Sequence, residues 1–123
     1  MLFQAISILN IGVRQKSKYV IISITKETLE LSNLLLVHGL ISQLYILSDK
    51  KLIIYLKYYG NKQIIFNIEL ISRPGFKRSI NLLKLKENKF YGSIYLIRTA
   101  KGLLFINKAI QNNISGELIC KIN

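Results

Sequence analysis

The side chains equipped for chemistry in this 123-residue sequence are chiefly its cations, 18 Lys and Arg against 6 Asp and Glu. They gather where turns are expected, at positions 14 to 18, 50 to 51, 57 to 62, 73 to 78 and 84 to 89, and then at Arg98 and Lys101. Any one lysine is ordinarily just solvated. Spread as a set over one small body with so few acids, residues such as Arg73, Lys77 and Arg78 suit contacts to phosphate. Other chemistry lacks its parts. His38, the only histidine, sits beside Gly39 at an expected helix end, where a partly exposed imidazole meets helical carbonyls. Cys120 lies in apolar sequence and is expected to be a buried, inert thiol. One His and one Cys cannot build a zinc site. No CxxC, HExxH or Gly-rich phosphate loop occurs. Glu27, Glu30, Asp49, Glu69, Glu87 and Glu117 are scattered, with no close pair outside one helix face. Paired-carboxylate and two-metal phosphodiester mechanisms therefore have no residues to run on. No catalytic residue, metal, cofactor or small-molecule substrate is expected, and the chain is not expected to be an enzyme.

Composition bounds what could position these cations. Half of the residues are hydrophobic, 20% are charged, and mean hydropathy is +0.31. A disordered basic tail would be poor in Ile, Leu and aromatics, so disorder is excluded. The length suits one domain, or two small subdomains sharing a core. A net charge of +12 on so small a body is self-repelling, and a polyanion would neutralise it. Nucleic acid and an anionic membrane surface are the two candidates. Residue choice adds a hint of origin: 22 Ile, 14 Lys, 10 Asn and 7 Tyr against 3 Ala and 1 Pro resemble the product of an A/T-rich organelle genome.

The elements follow from apolar spacing. Leu2, Ala5, Leu9 and Gly12 against Phe3, Ile6, Ser7 and Asn10 predict a short amphipathic helix ending near Gly12. Tyr19 to Ile24 is β-branched and continuous, which predicts a buried strand. Thr25 is a suitable N-cap, with Glu27 and Glu30 in the first turns of a second helix carried by Leu31, Leu34, Leu35 and Leu36 and stopped by Gly39. Three strands are then expected at Gln43 to Leu47, Leu52 to Tyr59 and Gln63 to Ile71, with turns at 48–50 and 60–61. In the middle one, Leu52, Ile54, Leu56 and Tyr58 share a face opposite Lys51, Tyr55, Lys57 and Tyr59. The only proline, in Ser72-Arg73-Pro74-Gly75, marks a sharp connection between halves. Beyond it, strands are expected at Ile94 to Ile97, Leu103 to Ile106 and Glu117 to Ile122, with a turn at Ala100-Lys101-Gly102 and a short helix at Asn107 to Asn113.

The fold class is thus α+β. Two small packed α/β subdomains are expected: 1–72, in the order α-β-α-β-β-β, and 73–123, mostly β with a short helix. The helices carry few cations, so none suits a major groove, and a loop-and-sheet reader of RNA shape fits better. Membrane insertion is not expected. Met1 to Val13 is uncharged but too short to span a bilayer, and Gly39 splits the longer run from Leu31 to Ser48. No cleavable signal or Arg- and Ser-rich presequence is discernible, so a protein working in an organelle would be made there.

Three motifs in order make the reading specific: Ile71-Ser72-Arg73-Pro74-Gly75, Thr99-Ala100-Lys101-Gly102, and Ser115-Gly116-Glu117-Leu118-Ile119-Cys120. With their spacing, and with Gly12, Gly39 and Leu56-Lys57-Tyr58, the sequence resembles the small-subunit ribosomal protein family S-eight along essentially its whole length. The resemblance implies two small α/β subdomains and binding to the central domain of small-subunit ribosomal RNA, mainly through the second half, in support of subunit assembly. It implies an RNA-contacting turn at Arg98, Thr99, Ala100, Lys101 and Gly102, with Gly116 and Glu117 close to the same RNA helix. Neighbouring small-subunit ribosomal proteins would be its other partners. A mitochondrial small subunit in the matrix is the implied location, with a plastid as second choice.

The sequence also departs from the family pattern. Arg98 and Ala100 stand where the family turn has serines, Ser115-Gly116 replaces a glycine doublet, Leu83 to Lys86 replaces an acidic, proline-bearing segment, and Ser79 replaces a tyrosine. Two hydroxyl contacts would be lost, which Arg98 could offset through phosphate or stacking. A carboxylate at Glu117 is unusual on a phosphate-facing surface and would have to accept hydrogen bonds from bases, sugars or its own loop. The competing reading is a basic peripheral protein on an anionic membrane, against which the cation-free first helix counts. An RNA-processing enzyme would need the acid–base pair or metal set that is missing.

Overall fold

In the computed structural model, residues 2–72, 75, 79–80 and 94–123 are described. Arg73, Lys77, Arg78 and the proline turn lie outside these residues. The chain divides into two compact units, residues 1–68 and 69–123.

The first unit opens with α1 (Leu2–Arg14), whose Leu2, Ala5, Ile6, Leu9, Gly12 and Val13 are buried. The helix does not stop at Gly12. It runs on to Arg14 and ends where Lys16 turns left-handed at φ 56°, with the Ser17 amide bonded back to the Gly12 carbonyl at 2.9 Å. Gly12 serves packing instead: a Cβ there would stand 2.3 Å from Val20 Cγ1 on the neighbouring strand. Ile6, expected on the outer face, is 1% exposed because it joins Leu2 and Leu9 in the stripe at spacings of three and four.

Strand β1 (Tyr19–Ser23) and helix α2 (Lys26–Val37) follow. Thr25 caps α2 as expected, in a reciprocal box: its hydroxyl accepts from the Thr28 amide at 3.2 Å, and the Thr28 hydroxyl accepts from the Thr25 amide at 2.7 Å. Gly39, at φ 71°, is the left-handed residue that stops it, with the Leu40 amide reaching back to the Leu35 carbonyl. Thr28, Leu31, Ser32 and Leu35 face inward, while Leu36 is exposed.

Strands β2 (Ile41–Ile46) and β3 (Lys51–Leu56) complete an antiparallel sheet in the order β1-β3-β2. The sheet is covered on one face only, so β1 is not buried throughout: Val20 and Ile22 point inward, and Tyr19 and Ile21 outward. Val20, Ile22, Ile41, Leu52, Ile54 and Leu56 form the inner face.

Neither of the expected strands Leu52 to Tyr59 and Gln63 to Ile71 is one element. The former ends as β3 at Leu56, and its last residues, Tyr58–Tyr59 (β4), make a small hairpin with Lys62–Gln63 (β5) about Gly60, at φ 65°. Residues 64–67 carry no strand, and Ile68–Leu70 (β6) pairs in the second sheet. The period-two pattern misleads here because Ile65 and Ile68, three apart, are the buried pair, while Phe66 is exposed. Asn10 Oδ1 accepts the Ile68 amide at 2.9 Å, and the Gln63 side-chain amide donates to the Val13 carbonyl, so side-chain bonds to α1 replace a sheet ladder.

The second unit is built on β10 (Gly116–Ile122), in the order β6-β10-β8-β9, with β8 spanning Ile94–Thr99 and β9 Gly102–Phe105; β7 (Ser79–Ile80) also pairs with β10. A register shift between Leu118 and Cys120 lets Leu118, Ile119 and Cys120 all be buried in succession. Helix α3 (Ile106–Gln111) places Ile106 and Ala109 against Ile97 and Leu118. Among the described residues no helix is long and apolar enough to cross a bilayer.

Candidate nucleic-acid interface

Strands β8 and β9 form a tight hairpin with Thr99 opposite Gly102 and only Ala100 and Lys101 between them. Gly102 takes φ 102°, a conformation that a Cβ would disfavour. The Thr99 hydroxyl locks the turn from inside, donating to the Gly102 carbonyl at 2.8 Å and accepting the Lys101 amide at 3.2 Å. Ala100 and Lys101 are exposed at its tip, so the lysine carries a solvated charge on a short, rigid support.

The start of β10 stands beside this hairpin. Glu117 is in register with Arg98, and Arg98 Nη1 lies 3.2 Å from Glu117 Oε1. Glu117 is 8% exposed, held between Arg98 on β8 and Ser79 on β7. Its other carboxylate oxygen has no hydrogen-bond partner among the described residues. The carboxylate is thus engaged as a support for the turn, which accounts for an acid on a basic surface.

Gly116 explains how the strands come so close. A Cβ on it would meet the Arg98 carbonyl oxygen at 2.1 Å and Thr99 Cα at 3.2 Å, both backbone atoms. The glycine is required by proximity, and its one predecessor, Ser115, is simply exposed.

The structure therefore brings Arg98, Thr99, Ala100, Lys101, Gly102, Gly116 and Glu117 together at one corner of the second unit. The role of one motif residue escapes sequence reading. Ser72 is fully buried: its hydroxyl donates to the Leu118 carbonyl and its amide to the Ile119 carbonyl at 3.3 Å. It ties the chain to β10 one residue before Arg73. A serine closing an apolar run was the available signal, but only the pairing with β10 shows what it holds.

The remaining described cations sit at the surface, and only Arg98 and Lys121 are half-buried. Lys121 Nζ lies 5.8 Å from the Tyr95 ring centroid, within cation–π range. His38 is the exposed C-cap of α2, its Nδ1 3.0 Å from the Leu34 carbonyl oxygen. Cys120 is fully buried, and desolvation pushes its thiol up to about 12. Burial also raises the Tyr58 phenol, whose hydroxyl donates to the Ser17 carbonyl. No group of three or more His, Cys, Asp or Glu among the described residues could hold a metal.

Comparison with known proteins adds to this geometry. The profile of the family described as "Ribosomal protein S8" matches residues 3–123. The chain is 30% identical over 125 residues to "Small ribosomal subunit protein uS8m" of Acanthamoeba castellanii, covering 100% of this chain and 98% of that one. It is 33% identical over 106 residues to "Small ribosomal subunit protein uS8" of Dichelobacter nodosus, covering 85% and 82%. To the protein of the same name from Mycoplasmopsis pulmonis it is 31% identical over 114 residues, covering 90% and 86%.

Proposed function

Because the chain belongs to the ribosomal protein S8 family, we propose that it is a structural constituent of the small ribosomal subunit. It binds small-subunit ribosomal RNA, in the central domain, and supports subunit assembly and translation. The family is one of structural ribosomal proteins and not of enzymes. The observation that carries the reading is the match along residues 3–123, which includes both units and the corner built by the β8–β9 hairpin and Gly116.

On this reading the tip of the hairpin enters a shallow RNA groove. Lys101 meets phosphate, the exposed backbone around Ala100 and Gly102 follows the groove wall, and Thr99 spends its hydroxyl on holding the turn. Arg98 reaches RNA while anchored to Glu117, so the pair fixes where the guanidinium stands. Gly116 sets the distance between turn and strand, and Arg73, Lys77 and Arg78 supply further phosphate contacts. RNA binding is thus concentrated in the second of two functional parts, 1–72 and 73–123.

We place the protein in a mitochondrial small subunit, with a plastid second. A uS8m relative aligned along the full chain and the A/T-driven residue choice support this. Neighbouring small-subunit proteins are its protein partners. The test is sedimentation of an epitope-tagged chain from organelle lysate at moderate salt. Comigration with small-subunit RNA, lost after ribonuclease, is expected. Recovery only as free protein, or on membranes after ribonuclease, would overturn the proposal.

A further inference from the structure

The open face of the first unit's sheet is not the polar surface that a wet sheet normally presents. Tyr19, Ile21, Tyr45, Ile53 and Tyr55 all stand on it, opposite the buried row of Val20, Ile22, Leu52 and Ile54. Tyr55 on the central strand is flanked by Tyr19 at a centroid distance of 5.7 Å and by Tyr45 at 5.9 Å, the latter edge-on at 85°. Tyr19 is 47% exposed and Tyr45 52%, so each offers ring surface to solvent. An apolar face of this kind marks a site of interaction.

Charge indicates the occupant. Strands β1, β2 and β3 contain no Asp or Glu, and Lys51 lies on the face itself. Lys18 and Lys57 border it at the end nearest Tyr19 and Tyr55, and Lys50 at the other; the nearest carboxylate in sequence, Asp49, adjoins Lys50 and Lys51. At the Lys51 end the face runs into a cleft of about 130 Å³ lined by Lys51, Ser23, Ile21 and, from α1, Gln4 and Ile8. Aromatic rings for bases, lysines for the backbone and a polar cleft beside them are the parts of a single-strand RNA platform.

We propose that this face is a second RNA contact, on which unpaired bases stack against Tyr19 and Tyr45 while Lys51 takes the adjoining phosphate. Tyr55 braces the two outer rings. The proposal rests on the preceding reading only in taking RNA as the partner; the turn at 98–102 plays no part in it.

The test measures affinity of the full-length protein for a short, unstructured oligouridylate, for the wild type and for the Tyr19→Leu/Tyr45→Leu and Tyr19→Phe/Tyr45→Phe doubles. Leucine keeps an apolar face without a ring, and phenylalanine keeps the ring. The leucine double should weaken binding by about tenfold or more, as the loss of a stacked base does. The phenylalanine double should stay close to wild type. Should the leucine double also melt lower, Tyr45→Leu alone, at the more exposed ring, supplies the comparison. Lys101→Glu should leave the ratio of wild type to leucine double unchanged, so failure of the turn assignment and failure of the platform are distinguishable. Equal affinity of wild type and leucine variants, or no oligouridylate binding by any of them, overturns the proposal. Retained oligouridylate binding with loss of comigration with the subunit also overturns it, by showing the face to be a protein contact.

Discussion

Replacing Gly116 by alanine is the sharpest perturbation that the structure offers. The added Cβ would stand 2.1 Å from the Arg98 carbonyl oxygen, about 0.9 Å inside the 3.0 Å below which Cβ contacts essentially do not occur. Because the obstacle is backbone on a paired strand, no side chain can swing aside. Strands β10 and β8 must part by about 1 Å, and a hydrogen bond of ~2.9 Å stretched that far is no longer a bond. Overpacking costs about 1–3 kcal/mol, and each lost ladder bond ~1 kcal/mol more, so about 2–4 kcal/mol is expected. Against a total stability of roughly 5–15 kcal/mol that is a large share, and it should lower the Tm by about 8–15 °C. RNA affinity should also fall, since the Arg98–Gly102 turn moves with β8. Thermal melting by circular dichroism and RNA binding at fixed salt measure the two effects. Gly60→Ala is the control: its Cβ meets nothing within 4 Å, and only φ 65° opposes it, so it should cost ~1 kcal/mol and leave RNA binding intact. A Gly116→Ala protein that melts within about 2 °C of wild type and binds RNA equally well would refute the close-approach argument.

Four further outcomes are expected. Lys101→Glu should weaken binding to small-subunit RNA and reduce the slope of log affinity against log salt by about 1; an unchanged slope in a salt titration would remove Lys101 from the phosphate contacts. Glu117→Leu should cost about 1.5–3 kcal/mol by removing the charge-assisted 3.2 Å bond to Arg98, and the Arg98→Met/Glu117→Leu double should recover much of that stability in denaturant titrations while still binding RNA poorly. Gly12→Ala should destabilise through its contact with Val20 despite alanine's better helix propensity, and it should cost less in a Val20→Ala background than in the wild type; an equal loss of Tm in both backgrounds would contradict this. Cys120 has its thiol raised from 9.0 to about 12 by burial, so above pH 9 the unfolded chain ionises while the folded one does not. Its contribution to stability is complete below pH 9 and is lost progressively towards pH 12; Cys120→Ala should therefore lose less Tm between pH 8 and pH 10 than wild type does.

How far the sequence could be followed differs from segment to segment. Helix α2 was legible at both ends because its signals are local: a Thr25 cap bonded within four residues, and a left-handed Gly39. The Thr99-Ala100-Lys101-Gly102 hairpin was legible for the same reason, since its hydroxyl and glycine act within the turn. Gly12 misled because a glycine near a helix end can either stop the helix or admit a neighbour. Which of these it does depends on Val20, which only the folded chain brings near. The stretch from Gln63 to Ile71 misled because alternation looks alike whether or not a partner strand lies alongside. Here Asn10 and β10 take up parts of what was expected to be one ladder.

The sequence by itself determined the α+β class, the partition of apolar stripes from basic loops, and the family, because these depend on local spacing and on ordered motifs. Tertiary structure decided what Gly116, Glu117 and Ser72 do: one lets two strands approach, one pairs with Arg98 across the gap, and one ties the chain to β10. It also decided that Tyr19, Tyr45 and Tyr55, separated along the chain, share one face. Each of these facts is a distance between strands remote in sequence. Such distances are set by sheet order and register, which no single segment encodes alone.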